Sequence, residues 1–331
     1  MNIIVQKYGG SSLENIDKIK IIANKIIKEK ENNTDLVVVV SAQGKTTDTL
    51  IEKAKEYSNY DNLNLSKRDL DFLLSTGEMQ SASLLSIFLN SKGYKSTCIT
   101  GFQAGILTDS NFGSAKILDI ENKNIMGLLN ENYIVIVTGF QGMDKFGNFT
   151  TLGRGGSDLS AVALASSLGA TKCEIYSDVD GIYTADPRII ENAKLINNIS
   201  YDEMIEASSA GAKVLHNRSV NFAKEFNLPI LSKSSFSDSS GSEVNNIVNE
   251  KSNVHFITKM DDIVKISIIG SMMLSNTKAI STIYSIASLN NIPIYMISFS
   301  ELSINIIVDR ELSSTFMKLL HEELIEKNTI D

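Results

Sequence analysis

Apolar and polar positions change period repeatedly along the first two-thirds of the chain. Asn2 to Gln6 is a short apolar run of strand type. From Asn15 to Lys30, the residues Ile16, Ile19, Ile22, Ile26 and Ile27 fall at helical spacing. LVVVVSA, Leu36 to Ala42, is unbroken and β-branched, which predicts a strand covered on both faces, and YIVIVTGF, Tyr133 to Phe140, predicts another. Further helices are expected from Gln80 to Ser91 and from Asp158 to Gly169, with strands at Ser96 to Thr100 and Cys173 to Ser177. This alternation predicts an α/β fold, a mainly parallel sheet with helices on both faces. Its ligands would lie beyond the carboxyl ends of the strands.

The pattern then breaks. Ser234 to Asn253 is polar and reads as a linker. Beyond it come a strand at Val264 to Ile269, a helix at Thr277 to Asn290, strands at Ile294 to Ser298 and Ser303 to Val308, and a helix at Leu312 to Glu326. That order is close to the ferredoxin-like split βαβ pattern with one strand missing. VHFIT, Val254 to Thr258, or a partner chain could supply it. The expected organisation is a larger α/β domain over 1–236, a linker with a possible extra strand over 237–259, and a smaller module over 260–331. Ile280, Ile283, Ile286 and Leu289 read as core, as do Met272 and Met273.

Composition narrows the function classes. The 331 residues are 43% hydrophobic and 21% charged, ordinary for a soluble globular protein. A net charge of −8 argues against a nucleic-acid groove. Two cysteines and three histidines, all scattered, fit neither a disulfide scaffold nor a metal site, and suit a reducing cytoplasm. MNIIVQKYGG lacks the form of a signal peptide, and no apolar run is long enough for a bilayer.

Several glycine-rich turns carry candidate chemistry. In VQKYGGSSL a strand ends on Lys7, Tyr8, Gly9 and Gly10, an arrangement that can bring backbone N–H groups to an anion. Taken alone it is more simply a packing turn. Gly44-Lys45-Thr46 is not part of a Walker A loop, because the upstream glycine position is Val39 inside a strand. GRGGSD places Arg154 among three glycines before the cap-type residues Ser157 and Asp158, and serves equally as a surface loop or an anion grip. SDVDGIYTADPR, Ser177 to Arg188, reads as a solvated loop or as a nucleotide loop using Asp178, Tyr183 and Arg188. GAKVLH adds Lys213.

KYGGSS, SAQGKTTD, LLSTGE, TGFQAGILTD, TLGRGGSDLSA, SDVDGIYTADPR, ISYDEM and GAKVLH stand in the order found in aspartate kinases. From Met1 to about Phe236 the chain resembles these members of the amino-acid kinase superfamily. The resemblance implies a three-layer α/β/α sandwich with ATP and Mg²⁺ as cofactors, and phosphorylation of L-aspartate to 4-phospho-L-aspartate. It places Lys7, Tyr8, Gly9, Gly10, Ser177, Asp178, Tyr183, Arg188 and Lys213 around the nucleotide. Ser41, Thr47, Glu78, Arg154, Gly155 and Ser157 would surround the aspartate. Lys7, Asp158 and Lys213 would act in catalysis, and no protein metal site is implied. The C-terminal module resembles an ACT domain, with one copy where the family has two. This implies a homodimer through that module, and lysine or threonine as the effector class at a pocket that one copy leaves incomplete.

Two other readings carry some weight. Another amino-acid kinase, acting on glutamate, acetylglutamate or a modified amino acid, is a second reading; Glu78 speaks against the acylated substrates, whose amine gains nothing from a facing carboxylate. A non-catalytic sensor has no use for Lys7, Arg154, Asp158 and Lys213 together.

Overall fold

The structure, a computed structural model of the chain, describes residues 2–58, 67–212, 214–247 and 254–327. It divides into two compact units, Met1–Thr258 and Lys259–Asp331. The first half of the first unit runs β1 (Ile3–Tyr8), α1 (Ile16–Glu31), β2 (Asp35–Val40), α2 (Thr46–Tyr57), α3 (Lys67–Ser91), β3 (Ser96–Ile99), β4 (Ile106–Thr108), β5 (Ile117–Ile120) and α4 (Lys123–Asn130). Its second half runs β6 (Ile134–Thr138), β7 (Gln141–Asp144), β8 (Phe149–Thr151), α5 (Gly156–Ser167), β9 (Lys172–Ser177), β10 (Asn198–Ser200), α6 (Tyr201–Ser209), α7 (Asn217–Glu225), β11 (Ile230–Ser234) and β12 (Ser242–Asn245).

Among the described residues, eight strands form one sheet in the order β10-β12-β11-β9-β1-β2-β6-β3. Every neighbouring pair is parallel except β11 with β12. Alternation along β2 explains its unbroken apolar run: Val37 and Val39 join the core under α5, and Leu36, Val38 and Val40 join the core under α1 and α3. All five are fully buried, each side chain stabilising the fold by roughly 1.5–3 kcal/mol relative to exposure. Asn15 starts α1 by accepting from the Asp17 and Lys18 N–H groups. A second sheet of four strands, β5-β4-β7-β8, lies outside the main one and ends at the Arg154 turn.

Three expectations are corrected. Helix α3 begins at Lys67, not Gln80, because its buried face of Asp71, Leu74, Ser75 and Glu78 packs despite the weak helix formers Ser75, Thr76 and Gly77. The stretch expected as linker contains β12, whose Val244 is fully buried, and Ser242 Oγ accepts the Ile182 N–H at 2.8 Å. Val254 to Thr258 forms no strand; Ile257 N–H donates instead to Thr184 C=O within the first unit.

The second unit runs β13 (Ile263–Ile269), α8 (Thr277–Leu289), β14 (Ile294–Phe299), β15 (Ser303–Asp309) and α9 (Arg310–His321), followed by a π-helical turn at Glu322–Glu326. Its antiparallel sheet has the order β13-β15-β14. Ile283, Ile286, Ile304, Ile306, Val308 and Phe316 form its core. Leu289, read as core from its helical spacing, and Met272, read as packing, are instead exposed, while Met273 is buried. Among the described residues, no helix is long and apolar enough to cross a membrane.

Candidate active site

The carboxyl ends of β1, β2, β6 and β9 meet at one edge of the sheet. Lys7 points to the α5 side, where its Nζ lies 2.6 Å from Asp158 Oδ1 in a mostly buried ion pair. Gly9 N–H donates to Tyr176 C=O, Ser41 N–H to Tyr8 C=O, and Gly44 N–H to Gly10 C=O. These bonds fasten the turn after β1 to the ends of β9 and β2. At Gly10 a Cβ would sit 2.5 Å from Ala42 O, so only glycine permits this approach of the two chains. Lys7, Gly9, Gly10 and Ser41 thus share one floor. Thr47 lies in the first turn of α2 beside it.

Glu78 enters from α3. Its Oε1 accepts the Ala42 N–H at 3.0 Å, and its Oε2 is buried with no hydrogen-bond partner among the described residues. Burial pushes this carboxyl up to about 7, opposed by the Ala42 hydrogen bond. A buried unsatisfied carboxyl oxygen is costly, and a ligand ammonium would relieve it.

The turn from β8 into α5 carries the third group. Gly155 adopts φ +69°, and a Cβ there would meet the His216 ring at 2.4 Å. Arg154 is exposed, with no ion-pair partner among the described residues. Ser157 is buried against Gly139 at the end of β6. Two supports of this turn were not singled out from sequence. Asp71 accepts from Thr151 N–H, Thr151 Oγ1 and Gly113 N–H. Arg218 donates to Leu152 C=O at 2.5 Å. Burial and the nearby Arg218 charge lower the His216 imidazole below its usual range. The GAKVLH motif pointed to the neighbourhood of His216 and Arg218, whereas Asp71 had no such signal.

The nucleotide candidates are less gathered. Ser177 ends β9, with Asp178 exposed beyond it. Tyr183 donates to Asp180 at 3.4 Å, and Arg188 makes a two-pronged pair with Asp186 at 3.0 and 2.8 Å on the surface. Tyr8 is fully buried: its ring stacks on Tyr176 at 4.8 Å and its hydroxyl meets Gln6. Its side chain is therefore out of reach of a ligand, because alternation along β1 sends Lys7 and Tyr8 to opposite faces. Lys213 lies outside the described residues.

Comparison with known proteins bears on this geometry. The model of the amino acid kinase family matches residues 2–231, and an ACT domain model matches residues 259–322. An aspartokinase of Bacillus sp. (strain MGA3) is 45% identical over 299 residues, 90% of this chain and 71% of that protein. Aspartokinase 2 of Bacillus subtilis (strain 168) is 44% identical over 299 residues, 90% of this chain and 72% of that protein. Two structures of E. coli aspartokinase III superpose on the fold. The complex with aspartate and ADP (R-state) has TM-score 0.77 and 27% identity, covering 93% of this chain and 78% of that one. The complex with lysine and aspartate (T-state) has TM-score 0.76 and 25% identity, covering 97% and 83%. With a kinase domain, an ACT domain and nearly half-identical relatives in agreement, this chain belongs to the aspartokinase family.

Proposed function

We propose that the floor built by Lys7, Gly9 and Gly10, facing Glu78 and Arg154, carries the ATP-dependent phosphorylation of the β-carboxylate of L-aspartate. The observation that supports this most directly is the unpartnered, buried Glu78 oxygen beside the Lys7 floor. Glu78 would take the α-ammonium and Arg154 the α-carboxylate, with Ser41, Thr47, Gly155 and Ser157 lining the same space. The β-carboxylate then faces the γ-phosphorus. One of its oxygens forms the new P–O bond as the bond to the β,γ-bridging oxygen breaks, and that oxygen leaves on ADP. A β-carboxyl with a pKa of about 3.9 is already ionised, so no general base is required. The protein's work is to align two anions and neutralise charge on the moving phosphoryl. Lys7 suits that work, with Lys213 as a further candidate, and the Gly9 N–H would join them only by leaving Tyr176 C=O. Asp158 would hold Lys7 in place.

Ser177, Asp178, Tyr183 and Arg188 are proposed to bind the nucleotide, and Arg188 must exchange Asp186 for phosphate to do so. Among the described residues there is no cluster of three or more acidic, His or Cys side chains that could hold a metal. Mg²⁺ would be carried on the nucleotide phosphates, with Asp158 as the protein carboxylate that could help hold it. When bound it would neutralise phosphate charge. A coupled assay across aspartate, glutamate and acetylglutamate tests the acceptor. Turnover is expected with aspartate, and activity confined to another acceptor would sink the assignment.

The Lys259–Asp331 unit is proposed to form a homodimer. Both outer strands, β13 and β14, have open edges among the described residues, and Ile269, Met296 and Phe299 expose apolar surface there. Sedimentation at micromolar concentration should give a dimer, and a monomer would contradict the proposal. Lysine is the favoured effector, since it occupies a related enzyme that also binds aspartate. Its pocket in this unit is proposed to lie at that interface.

A further inference from the structure

Helix α3 carries two buried carboxylates on one face, Asp71 and Glu78, two turns or about 10 Å apart along the axis. Glu78 belongs to the acceptor site. Asp71 does not reach it, yet it is 1% exposed and the hydrogen bonds of its carboxylate go to the structure around Arg154. Its Oδ2 accepts the Thr151 N–H at 2.7 Å and the Gly113 N–H at 2.9 Å, and its Oδ1 accepts the Thr151 hydroxyl at 2.8 Å. Thr151 is the last residue of β8, three positions before Arg154. Gly113 belongs to the turn behind Gly153, where a Cβ on Gly153 would lie 3.0 Å from Gly113 O. The Ala115 N–H closes the same corner by donating to Thr151 C=O. Between the two carboxylates, Ser75 C=O accepts from the Gln141 side chain at 3.0 Å and so ties β7 to the same helix face.

We propose that Asp71 is a positioning residue for the acceptor amino acid. Its carboxylate fastens the Thr151 and Gly113 backbones to α3, and so sets the spacing between Arg154 and Glu78. Burying this carboxylate is costly, and three donors offset the cost. A helix is a stiff spacer, so one element fixes both grips on the same Cα. Loosening the Asp71 end lets Arg154 drift and swings the β-carboxylate out of line. The nucleotide floor at β1 and β9 makes no hydrogen bond to Asp71, so ATP binding is spared. This inference rests on the reading that Arg154 grips the α-carboxylate.

The test is a kinetic cycle with Asp71→Asn, Arg154→Ala and the double variant in the full chain. Asp71→Asn is expected to raise KM for aspartate about tenfold with KM for ATP unchanged. In the Arg154→Ala background the same change should alter KM for aspartate by less than about twofold, because its effect passes through Arg154. An equal fold-change in both backgrounds, or a parallel rise in KM for ATP, would overturn the proposal. An unchanged KM for aspartate in Arg154→Ala would overturn the grip itself. A raised value there with none in Asp71→Asn would overturn only the positioning role. Should Asp71→Asn not fold, Thr151→Val removes one of the three bonds with little change of shape. It should shift KM for aspartate in the same direction, and no shift would count against the proposal.

Discussion

Replacing Lys7 by alanine is expected to lower kcat on the order of a thousandfold while the protein stays folded. The side chain is the cation fixed at the floor where β1 ends, and the phosphoryl group would pass over it. Its charge acts in a partly desolvated place, where it counts for more than in water. A second effect adds to the first. In the parent, Asp158 sits 2.6 Å from Lys7, so its negative charge is compensated. Without the lysine the carboxylate would face the phosphates directly and repel them, raising KM for ATP as well. The double variant Lys7→Ala with Asp158→Asn should recover the ATP affinity but not kcat. Steady-state kinetics with circular dichroism checks this; near-normal turnover by Lys7→Ala would remove it from the mechanism.

Replacing Glu78 by glutamine should make the enzyme more stable and much poorer at holding aspartate. Folding raises this carboxyl from about 4.5 in the unfolded chain to about 7. Between those values the unfolded chain has released its proton and the folded chain retains it. Stability therefore falls as pH rises through that window, by about 3 kcal/mol in all. Glutamine carries no such penalty. The variant should exceed the parent in denaturant midpoint at pH 8, with the advantage vanishing near pH 4.5. Function moves the other way. Loss of a charge-assisted contact to the ammonium should raise KM for aspartate about a hundredfold at pH 8. In the parent, KM for aspartate should rise about tenfold for each pH unit below 7, because the carboxyl must ionise to meet the ammonium. The glutamine variant should be flat there. A parent profile that is also flat would refute the role of Glu78.

What could be read from sequence, and what could not, follows the physics of each residue. Lys7, Gly9 and Gly10 stood out only in company: alone the turn reads as packing, and the ordered set of other motifs gave it weight. Arg154 stood out as a guanidinium among glycines. Helix α3 was half hidden, since Ser75, Thr76 and Gly77 weaken the helical pattern and tertiary packing overrides it. Strand β12 was hidden altogether: it is short and polar, and belongs to the sheet through its neighbours. Asp71 was invisible for a deeper reason. An acid on a helix normally faces water, and its donors come from residues 42 and 80 positions away. The Tyr8 side chain lies away from the expected nucleotide site because motif members adjacent in sequence point to opposite faces of a strand.

The floor beneath the phosphoryl group is made largely of main chain, with Gly10 pressed against the Ala42 carbonyl. Its geometry therefore depends little on which side chains surround it. The proposed grip on the acceptor, by contrast, would be made of side chains carried on separate elements, Glu78 on α3 and Arg154 on the turn before α5. These two parts can change at different rates over evolution. A lineage could exchange one acceptor for another by altering α3 and the Arg154 turn while inheriting the same phosphate platform, where changes in the side chains around the glycines would be tolerated.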